Sequence, residues 1–210
     1  MKIRLIAAFA VAILAIAPTF SSHAQGLEPG DAAPLQQFSM MDVGGELTTL
    51  QDLKLENGLL VIYSCNSCPF VVGREGRSDG WEGRYNGLNA TAGALKIGMV
   101  LVNSNSAKRA GDDSFTAMKQ RALDAGYTMP YVLDEDNKLA DAFTARTTPH
   151  VFLFDGDLKL VYSGAIDDNG NDADDVKNYW LNDALAKLSA GKRAKPNQTK
   201  ALGCSIKRAQ

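Results

Sequence analysis

The sequence has little of what marks several common classes of protein. Its 22 basic residues are outnumbered by 24 acidic ones, so its charge favours neither nucleic acid nor an anionic membrane surface as a partner. It contains only two histidines and three cysteines in 210 residues, and no internal repeat. Three cysteines do not make a disulfide-stapled small fold. The chain therefore depends on an apolar core, for which its 45% of hydrophobic residues is sufficient.

The long apolar run of the chain lies at its start and has the features of a secretory signal peptide. Lys2 and Arg4 precede the apolar segment Leu5 to Ala17, Pro18 interrupts it, and Ser22-His23-Ala24 supplies small residues for cleavage. A membrane anchor is the alternative, but this run of thirteen residues is shorter than the ~20 needed to span a bilayer.

These features predict a processed, exported protein. We expect residues 1–24 to be a signal peptide, residues 25–191 a single domain, and residues 192–210 a C-terminal tail packed on that domain. Cleavage removes Lys2 and Arg4 from the 22 basic residues and leaves 20 against 24 acidic ones, a formal charge of −4. It also removes His23, so His150 is the one remaining histidine. The expected location is the periplasm or cell envelope, without membrane association after cleavage. Disulfides form readily in such an oxidising compartment.

The order of apolar segments predicts an α/β fold with a mixed sheet. Leu59–Tyr63 and Ile97–Asn105 are buried strands that alternate with helical segments, which is typical of parallel strands. The late segments "HVFLFD" and "LKLVYSG" predict an antiparallel hairpin. A small hairpin is expected near Gln37–Met40 and Glu46–Thr49, and a last helix over Asp174–Ser189.

The segment "YSCNSCPF" places Cys65 and Cys68 directly after the first buried strand. If a helix begins near Asn66, Cys65 lies at its N-terminus, where the unpaired N–H groups and the helix dipole lower a thiol pKa. Cys65 is then the attacking thiol and Cys68 the resolving one. Pro69 fits this interpretation poorly, because it disfavours helical geometry at Cys68.

Two other interpretations of the cysteine pair remain open. A structural disulfide would close so short a loop that it would add little stability. A zinc site needs four ligands, and the mature chain offers three cysteines and one histidine. A Cys-x-x-Cys motif after a buried strand in an exported α/β domain is more typical of a redox pair.

Cys204 is the odd cysteine, in the tail segment "LGCSIK". It can be a buried apolar residue, a third redox thiol at the active site, or half of an intermolecular disulfide. Leu202, Cys204 and Ile206 alternate, so one side of this segment is apolar and can add to a sheet edge. We predict a mainly structural role, with redox participation as the second interpretation.

Taken together, these motifs resemble the thioredoxin superfamily, in its redoxin or peroxiredoxin-like (AhpC/TSA) branch. "GDAAPLQQF" is similar to the opening of that branch, "CNSC" to a thioredoxin-type active site, and "TTPHVFLFD" to the segment that carries a cis-proline. The resemblance implies a thioredoxin-like fold, a central mixed sheet flanked by helices with an N-terminal hairpin. It also implies that Thr148 and Pro149 lie beside the cysteines and bind substrate, with the Thr148 backbone free to pair with an extended chain.

The sequence also departs from this family. In the peroxiredoxin motif P-x-x-x-T/S-x-x-C, Val61 and Cys65 stand in the proline and threonine positions if Cys68 is peroxidatic. If Cys65 is peroxidatic, Gly58 and Ile62 stand there. Thioredoxins carry a buried acidic residue six positions before the first cysteine, where this chain has Leu59.

We therefore predict an exported thiol–disulfide oxidoreductase that uses Cys65 and Cys68 without a cofactor or metal ion. Its expected partners are protein or small-molecule disulfides and a redox partner protein. A peroxiredoxin-like thiol peroxidase is the enzymatic alternative. A copper-binding chaperone that uses the two cysteines and His150 is the non-enzymatic one, although such proteins usually space the cysteines as Cys-x-x-x-Cys.

Overall fold

The computed structural model of the protein describes residues 26–209, so the predicted signal peptide lies outside the described residues. No helix in this range combines the length and the apolar character that crossing a bilayer requires. The strands are β1 (Met40–Asp42), β2 (Leu47–Thr48), β3 (Gly58–Ser64), β4 (Ile97–Asn103), β5 (Tyr131–Leu133), β6 (Thr147–Thr148), β7 (His150–Asp155), β8 (Leu160–Gly164) and β9 (Cys204–Ser205). The α-helices are α1 (Leu50–Leu53), α2 (Pro69–Val72), α3 (Tyr85–Ala94), α4 (Phe115–Asp124), α5 (Lys138–Ala142) and α6 (Trp180–Ser189).

A seven-stranded mixed sheet forms the centre of the domain, in the order β2-β1-β5-β4-β3-β7-β8. Strands β3, β4 and β5 are parallel, whereas β7 and β8 form the antiparallel hairpin and β1 and β2 the N-terminal one. Strands β6 and β9 form a separate two-stranded antiparallel sheet. The predicted thioredoxin-like α/β class is confirmed.

The continuous apolar run of β3 is explained by burial on both faces of the sheet. Leu60 and Ile62 point into the first core, on the face of the sheet that also holds the cysteines. Leu59, Val61 and Tyr63 point into the second core, on the opposite face, and all five residues are 0% exposed. Successive strand residues face opposite sides, so a strand covered on both sides must be apolar throughout. The functional consequence is a rigid strand whose C-terminal end fixes the start of the cysteine loop.

The last helix begins later than the sequence pattern predicts, at Trp180 rather than Asp174. The preceding segment is a loop that is held by a distant contact. The Asp167 carboxylate in this loop accepts a hydrogen bond of 2.8 Å from Trp81 Nε1 and pairs with Arg84. This pairing fixes the loop against the segment that precedes α3, and the two segments pack on the same core.

Candidate active site

The cysteine loop connects the buried end of β3 to the short helix α2. Cys65 follows the last residue of β3, and Cys68 is the N-cap of α2 with extended backbone angles, φ −75° and ψ 123°. Pro69 takes the first helical position, where its missing N–H costs nothing and its fixed φ suits the helix. The prediction of a helix from about Asn66 is wrong, because the proline ring excludes helical geometry at the residue before it.

Thr148 contacts both cysteines. Its hydroxyl lies 3.2 Å from Cys65 Sγ, and the thiol of Cys68 donates a hydrogen bond of 3.1 Å to its carbonyl oxygen. The Thr148–Pro149 peptide bond is cis, as the resemblance implied. β6 therefore brings Thr148 and Pro149 beside Cys65 and Cys68, although they are far apart in sequence.

The pKa values of the two thiols are shifted in opposite directions. The hydrogen bond from Cys65 lowers the pKa of Cys68 to about 5, with further hydrogen bonds from Cys204 and Thr148, against the opposing effect of burial. The same hydrogen bond to Cys68 raises the pKa of Cys65, and burial adds to the effect. When Cys68 is a thiolate, it accepts hydrogen bonds; when protonated, it donates to Thr148.

The expectation of a lowered pKa at Cys65 is therefore wrong. Cys65 is only 1% exposed, and it lies before the helix rather than at its N-terminus. Burial without helix N–H groups disfavours the charged thiolate. The physical argument that gave the attacking role to Cys65 does not hold in this structure.

A buried carboxylate, Asp113, fixes the loop that carries the cysteines. One oxygen of Asp113 accepts hydrogen bonds of 2.8 Å from the backbone N–H of Asn66 and from Asn103 Nδ2, and the other accepts one of 2.9 Å from Asn105 Nδ2. Its negative charge also contributes to the raised pKa of Cys65.

Sequence reasoning missed this role of Asp113. The cap of α4 is the neighbouring Ser114, whose hydroxyl accepts from the N–H of Ala117. The available signal was the polar segment "NSN" at the end of β4, which is unusual beside a fully buried strand. Asp113 is thus a buried acid near Cys65, although Leu59 takes the position of the thioredoxin acid.

The C-terminal tail lies directly on the cysteine site. Cys204 of β9 pairs with Thr148, and Ser205 pairs with Thr147. The expectation that the Thr148 backbone is free for an extended substrate is therefore wrong in this structure, because the chain's own tail occupies that position. Gly203 permits the approach: a Cβ there would lie 2.3 Å from the Thr148 carbonyl oxygen.

This pairing brings the third cysteine to the other two. Cys204 lies close enough to Cys68 for each thiol to shift the pKa of the other. Burial, followed by the hydrogen bond to Cys68, raises the pKa of Cys204 to about 11. None of the three cysteines is in a disulfide in this structure. Cys68 thus lies near both Cys65 and Cys204.

His150 lies on the opposite face of the sheet from the cysteines. It pairs with Tyr63 across β3 and β7 and packs against the Phe152 ring at 4.4 Å, in the second core. Its Nδ1 accepts from the N–H of Arg146, and burial lowers its pKa to about 4. Within residues 26–209, no group of three histidine, cysteine or acidic side chains is arranged to hold a metal ion. The two cysteines and His150 that the copper alternative requires do not converge.

Comparisons with known proteins agree with this geometry. The Redoxin family model matches residues 28–179. An uncharacterised conserved protein from Geobacillus kaustophilus superposes with a TM-score of 0.77 at 32% identity, over 87% of this chain and 93% of its own. A hypothetical protein from Sinorhizobium meliloti gives 0.77 at 29% identity, over 88% and 97%.

A more distant structure shares the fold. The bacterioferritin comigratory protein of Xanthomonas campestris, which has alkyl peroxide reduction activity, gives a TM-score of 0.54 at 20% identity, over 79% of this chain and 97% of its own. No curated protein sequence matches the chain.

Proposed function

Because the chain belongs to the redoxin family and is a thiol-acting oxidoreductase, we propose that it catalyses thiol–disulfide exchange with Cys65 and Cys68 as its redox pair. One observation carries this proposal: the thiols of Cys65 and Cys68 both contact Thr148, one at its hydroxyl and one at its carbonyl oxygen, so they lie together in one buried site. A structural disulfide would not require a thiolate, whereas exchange chemistry does, and the hydrogen bonds to Cys68 favour one.

The first chemical step belongs to Cys68. Its thiolate attacks one sulfur of a substrate disulfide, forms a mixed disulfide, and releases the other substrate sulfur as a thiolate. The lowered pKa of Cys68 keeps it ionised at neutral pH. The sequence prediction gave this role to Cys65 on the basis of a helix start at Asn66, and the observed start at Pro69 moves that argument to Cys68.

Cys65 completes the reaction. It loses its proton, attacks the Cys68 sulfur of the mixed disulfide and releases the second substrate thiolate. Two electrons pass to the substrate, and the enzyme retains a Cys65–Cys68 disulfide. The raised pKa of Cys65 suits this order, because Cys65 is protonated while Cys68 carries a negative charge. The mixed disulfide removes that charge, so Cys65 can then ionise and attack.

A thiol peroxidase is the second candidate, and the position of the tail favours it. β9 occupies the backbone of Thr148, so an extended polypeptide cannot pair there without displacing the tail. Hydrogen peroxide does not need to pair with the Thr148 backbone in order to react. In this case, the Cys68 thiolate attacks the peroxide, becomes a sulfenic acid with release of water, and condenses with Cys65 to a disulfide and a second water.

The two candidates are separated by measuring the oxidation of the fully reduced protein. Stopped-flow mixing with a small aromatic disulfide and, separately, with hydrogen peroxide gives two rate constants. We expect the disulfide to react faster, because Val61 and Cys65 replace the peroxiredoxin proline and threonine. A peroxide rate constant near the enzyme-like ~10⁶ M⁻¹s⁻¹ or above would favour the peroxidase instead.

Matched variants test which cysteine attacks the oxidant and which one resolves the intermediate. Cys68→Ser is expected to abolish reaction with both oxidants, whereas the double variant Cys65→Ser/Cys204→Ser should react once and retain a mixed disulfide or a sulfenic acid on Cys68. Persistent turnover of Cys68→Ser, with its circular dichroism spectrum unchanged, would contradict the proposal.

The proposal includes export to the cell envelope, supported by the signal-peptide features of residues 1–24. There the substrates are protein or small-molecule disulfides, and a redox partner protein restores the starting state. N-terminal sequencing of the protein from an envelope fraction should begin at Gln25. Mixed-disulfide trapping with the double variant Cys65→Ser/Cys204→Ser should capture the partners. Recovery of the unprocessed chain from the cytoplasm would refute the export.

A further inference from the structure

The tail strand places Cys204 where it can exchange a disulfide with the active site. Cys204 is paired with Thr148, and the carbonyl oxygen of Thr148 is the one that Cys68 contacts. Thr148 therefore stands between the redox pair and Cys204, and both Cys65 and Cys204 lie close enough to Cys68 to lower its pKa. Cys204 is also the most exposed of the three cysteines, since Cys65 and Cys68 are 1% and 4% exposed.

The tail is anchored there by contacts on the C-terminal side of Cys204. The N–H of Ile206 donates to the Arg146 carbonyl at 2.9 Å, and Ile206 itself is buried in the second core. The N–H of Lys207 donates to Asn105 Oδ1 at 2.8 Å, and Arg208 pairs with Asp141. A thiol held in this way reacts at a high effective concentration.

We propose that Cys204 is a third redox thiol of this site, which takes over the Cys68 sulfur and moves the disulfide from Cys65–Cys68 to Cys68–Cys204. The inference rests on the proposed function, because it needs Cys65–Cys68 as its starting disulfide.

The exchange conserves electrons. The Cys204 thiolate attacks Sγ of Cys68, the Cys68–Cys204 bond forms, the Cys65–Cys68 bond breaks, and Cys65 leaves as a thiolate that takes up the proton lost by Cys204. No oxidant or reductant is consumed. An external thiol then attacks the more exposed Cys204 sulfur and releases Cys68 as a thiolate, and the low pKa of Cys68 makes it a good leaving group. A second thiol of the reductant completes the transfer.

In this role, Cys204 makes the tail part of the route by which the enzyme is reduced. The Cys65–Cys68 disulfide would be covered by the tail, which slows attack by a protein reductant. Exchange with Cys204 moves the disulfide to a more exposed sulfur. The tail then does not need to leave Thr148 for the enzyme to be reduced. The inference concerns the regeneration of the enzyme, and it applies whether a disulfide or a peroxide oxidises Cys68.

The decisive test isolates Cys68 and Cys204. The full-length Cys65→Ser protein, fully reduced, is oxidised with diamide, which removes two electrons and two protons from a pair of thiols. Remaining thiols are alkylated, and disulfide-linked peptides are identified by mass spectrometry. We expect an intramolecular Cys68–Cys204 disulfide as the main product. The same experiment with Cys65→Ala covers the case in which the serine variant does not fold.

The matched control is Cys68→Ser, which leaves Cys65 and Cys204 without the cysteine that contacts both. It should yield much less intramolecular disulfide than Cys65→Ser. If Cys65→Ser retains two alkylatable thiols after oxidation, or if the two variants form the disulfide equally well, the assignment of Cys204 is overturned.

A comparison of reduction rates tests this inference separately from the proposed function. Oxidised wild-type protein and oxidised Cys204→Ser are reduced by the same dithiol. We expect Cys204→Ser still to form the Cys65–Cys68 disulfide on complete oxidation but to be reduced roughly tenfold more slowly. Equal reduction rates would refute the exchange with Cys204 but would leave the proposed function intact. Failure of Cys204→Ser to form any Cys65–Cys68 disulfide would instead refute the proposed function.

Discussion

Thr148 and Cys204 lie opposite each other in a two-stranded antiparallel sheet, and the same Thr148 contacts both Cys65 and Cys68. One residue therefore joins the redox pair to the C-terminal tail. Anything that loosens the tail from Thr148 changes the access to the thiols, and anything that shifts Thr148 changes their hydrogen bonds.

The first prediction concerns thiol reactivity and its pH dependence. In the reduced protein, Cys68 should be alkylated by iodoacetamide before Cys65 at neutral pH. The pKa of Cys68 is lowered to about 5 and that of Cys65 is raised, so only Cys68 is ionised there. Because the thiolate is the nucleophile, the Cys68 rate should stay level above its pKa and fall as the pH drops through about 5.

This is measured by mass spectrometry of peptides from timed alkylation reactions, with the denatured protein as the reference for unshifted thiols. Faster labelling of Cys65 would restore the role that the sequence assigned to it. A rate for Cys68 that falls through a pH near 8 or 9, as for an ordinary thiol, would show that the hydrogen bonds do not stabilise its thiolate.

The second prediction concerns the close approach at Gly203. Gly203→Ala places a Cβ 2.3 Å from the backbone oxygen of Thr148, so the tail must move away. We expect the free energy of unfolding to fall by ~1–3 kcal/mol and alkylation of Cys68 to become faster. Chemical denaturation and timed labelling measure the two effects.

Gly87→Ala is the matched control for that substitution. Gly87 lies in α3 with open space around its Cβ position, so alanine should be neutral or stabilise the helix by up to ~1 kcal/mol. Unchanged Cys68 labelling in Gly203→Ala would mean that the tail does not cover the thiol.

The third prediction concerns the buried carboxylate beside the cysteine loop. Asp113→Asn replaces an acceptor of three hydrogen bonds by a group whose amide faces another donor. We expect a loss of ~1–3 kcal/mol in the free energy of unfolding, the cost of a buried donor left unsatisfied. The pKa of Cys65 should fall, because the charge that helps to raise it is removed.

Asp112→Asn is the control, since it makes the same change of charge at the exposed neighbouring residue. Denaturant titration and the pH dependence of Cys65 alkylation provide the readouts. A pKa of Cys65 that does not change in Asp113→Asn, in a folded protein, would exclude an electrostatic role for this carboxylate.

The fourth prediction concerns the ion pair that holds the loop before α6. Asp167 is 3% exposed and accepts from Trp81 Nε1 while pairing with Arg84. Asp167→Asn keeps an acceptor for Trp81 but leaves Arg84 without its partner. We expect a loss of ~1–3 kcal/mol, less than for a fully buried pair because Arg84 is partly exposed.

Thermal unfolding compares this variant with Asp174→Asn, an exposed residue of the same loop. The Trp81 ring stacks on Phe70, which follows the cysteine motif, so its fluorescence should also change in Asp167→Asn. Identical melting curves for the two variants would show that the ion pair contributes nothing measurable.

The sequence alone determined the features that depend on neighbouring residues. The apolar run of Leu59–Tyr63 predicted β3, and the alternation of buried strands and helices predicted a mixed sheet. The helix start at Pro69 was also available, because a proline restricts the residue before it whatever the rest of the fold does.

Only the tertiary structure decided which distant groups meet at the site. Asp113 lies beside Cys65 because β3 and β4 are parallel neighbours whose C-terminal ends meet at one edge. Cys204 reaches Cys68 because β9 pairs with β6, a pairing that its two residues could make with many exposed edges. The pKa values of the thiols follow from these contacts. A sequence records which thiols are present, whereas their protonation depends on the charges and hydrogen bonds that folding brings around them.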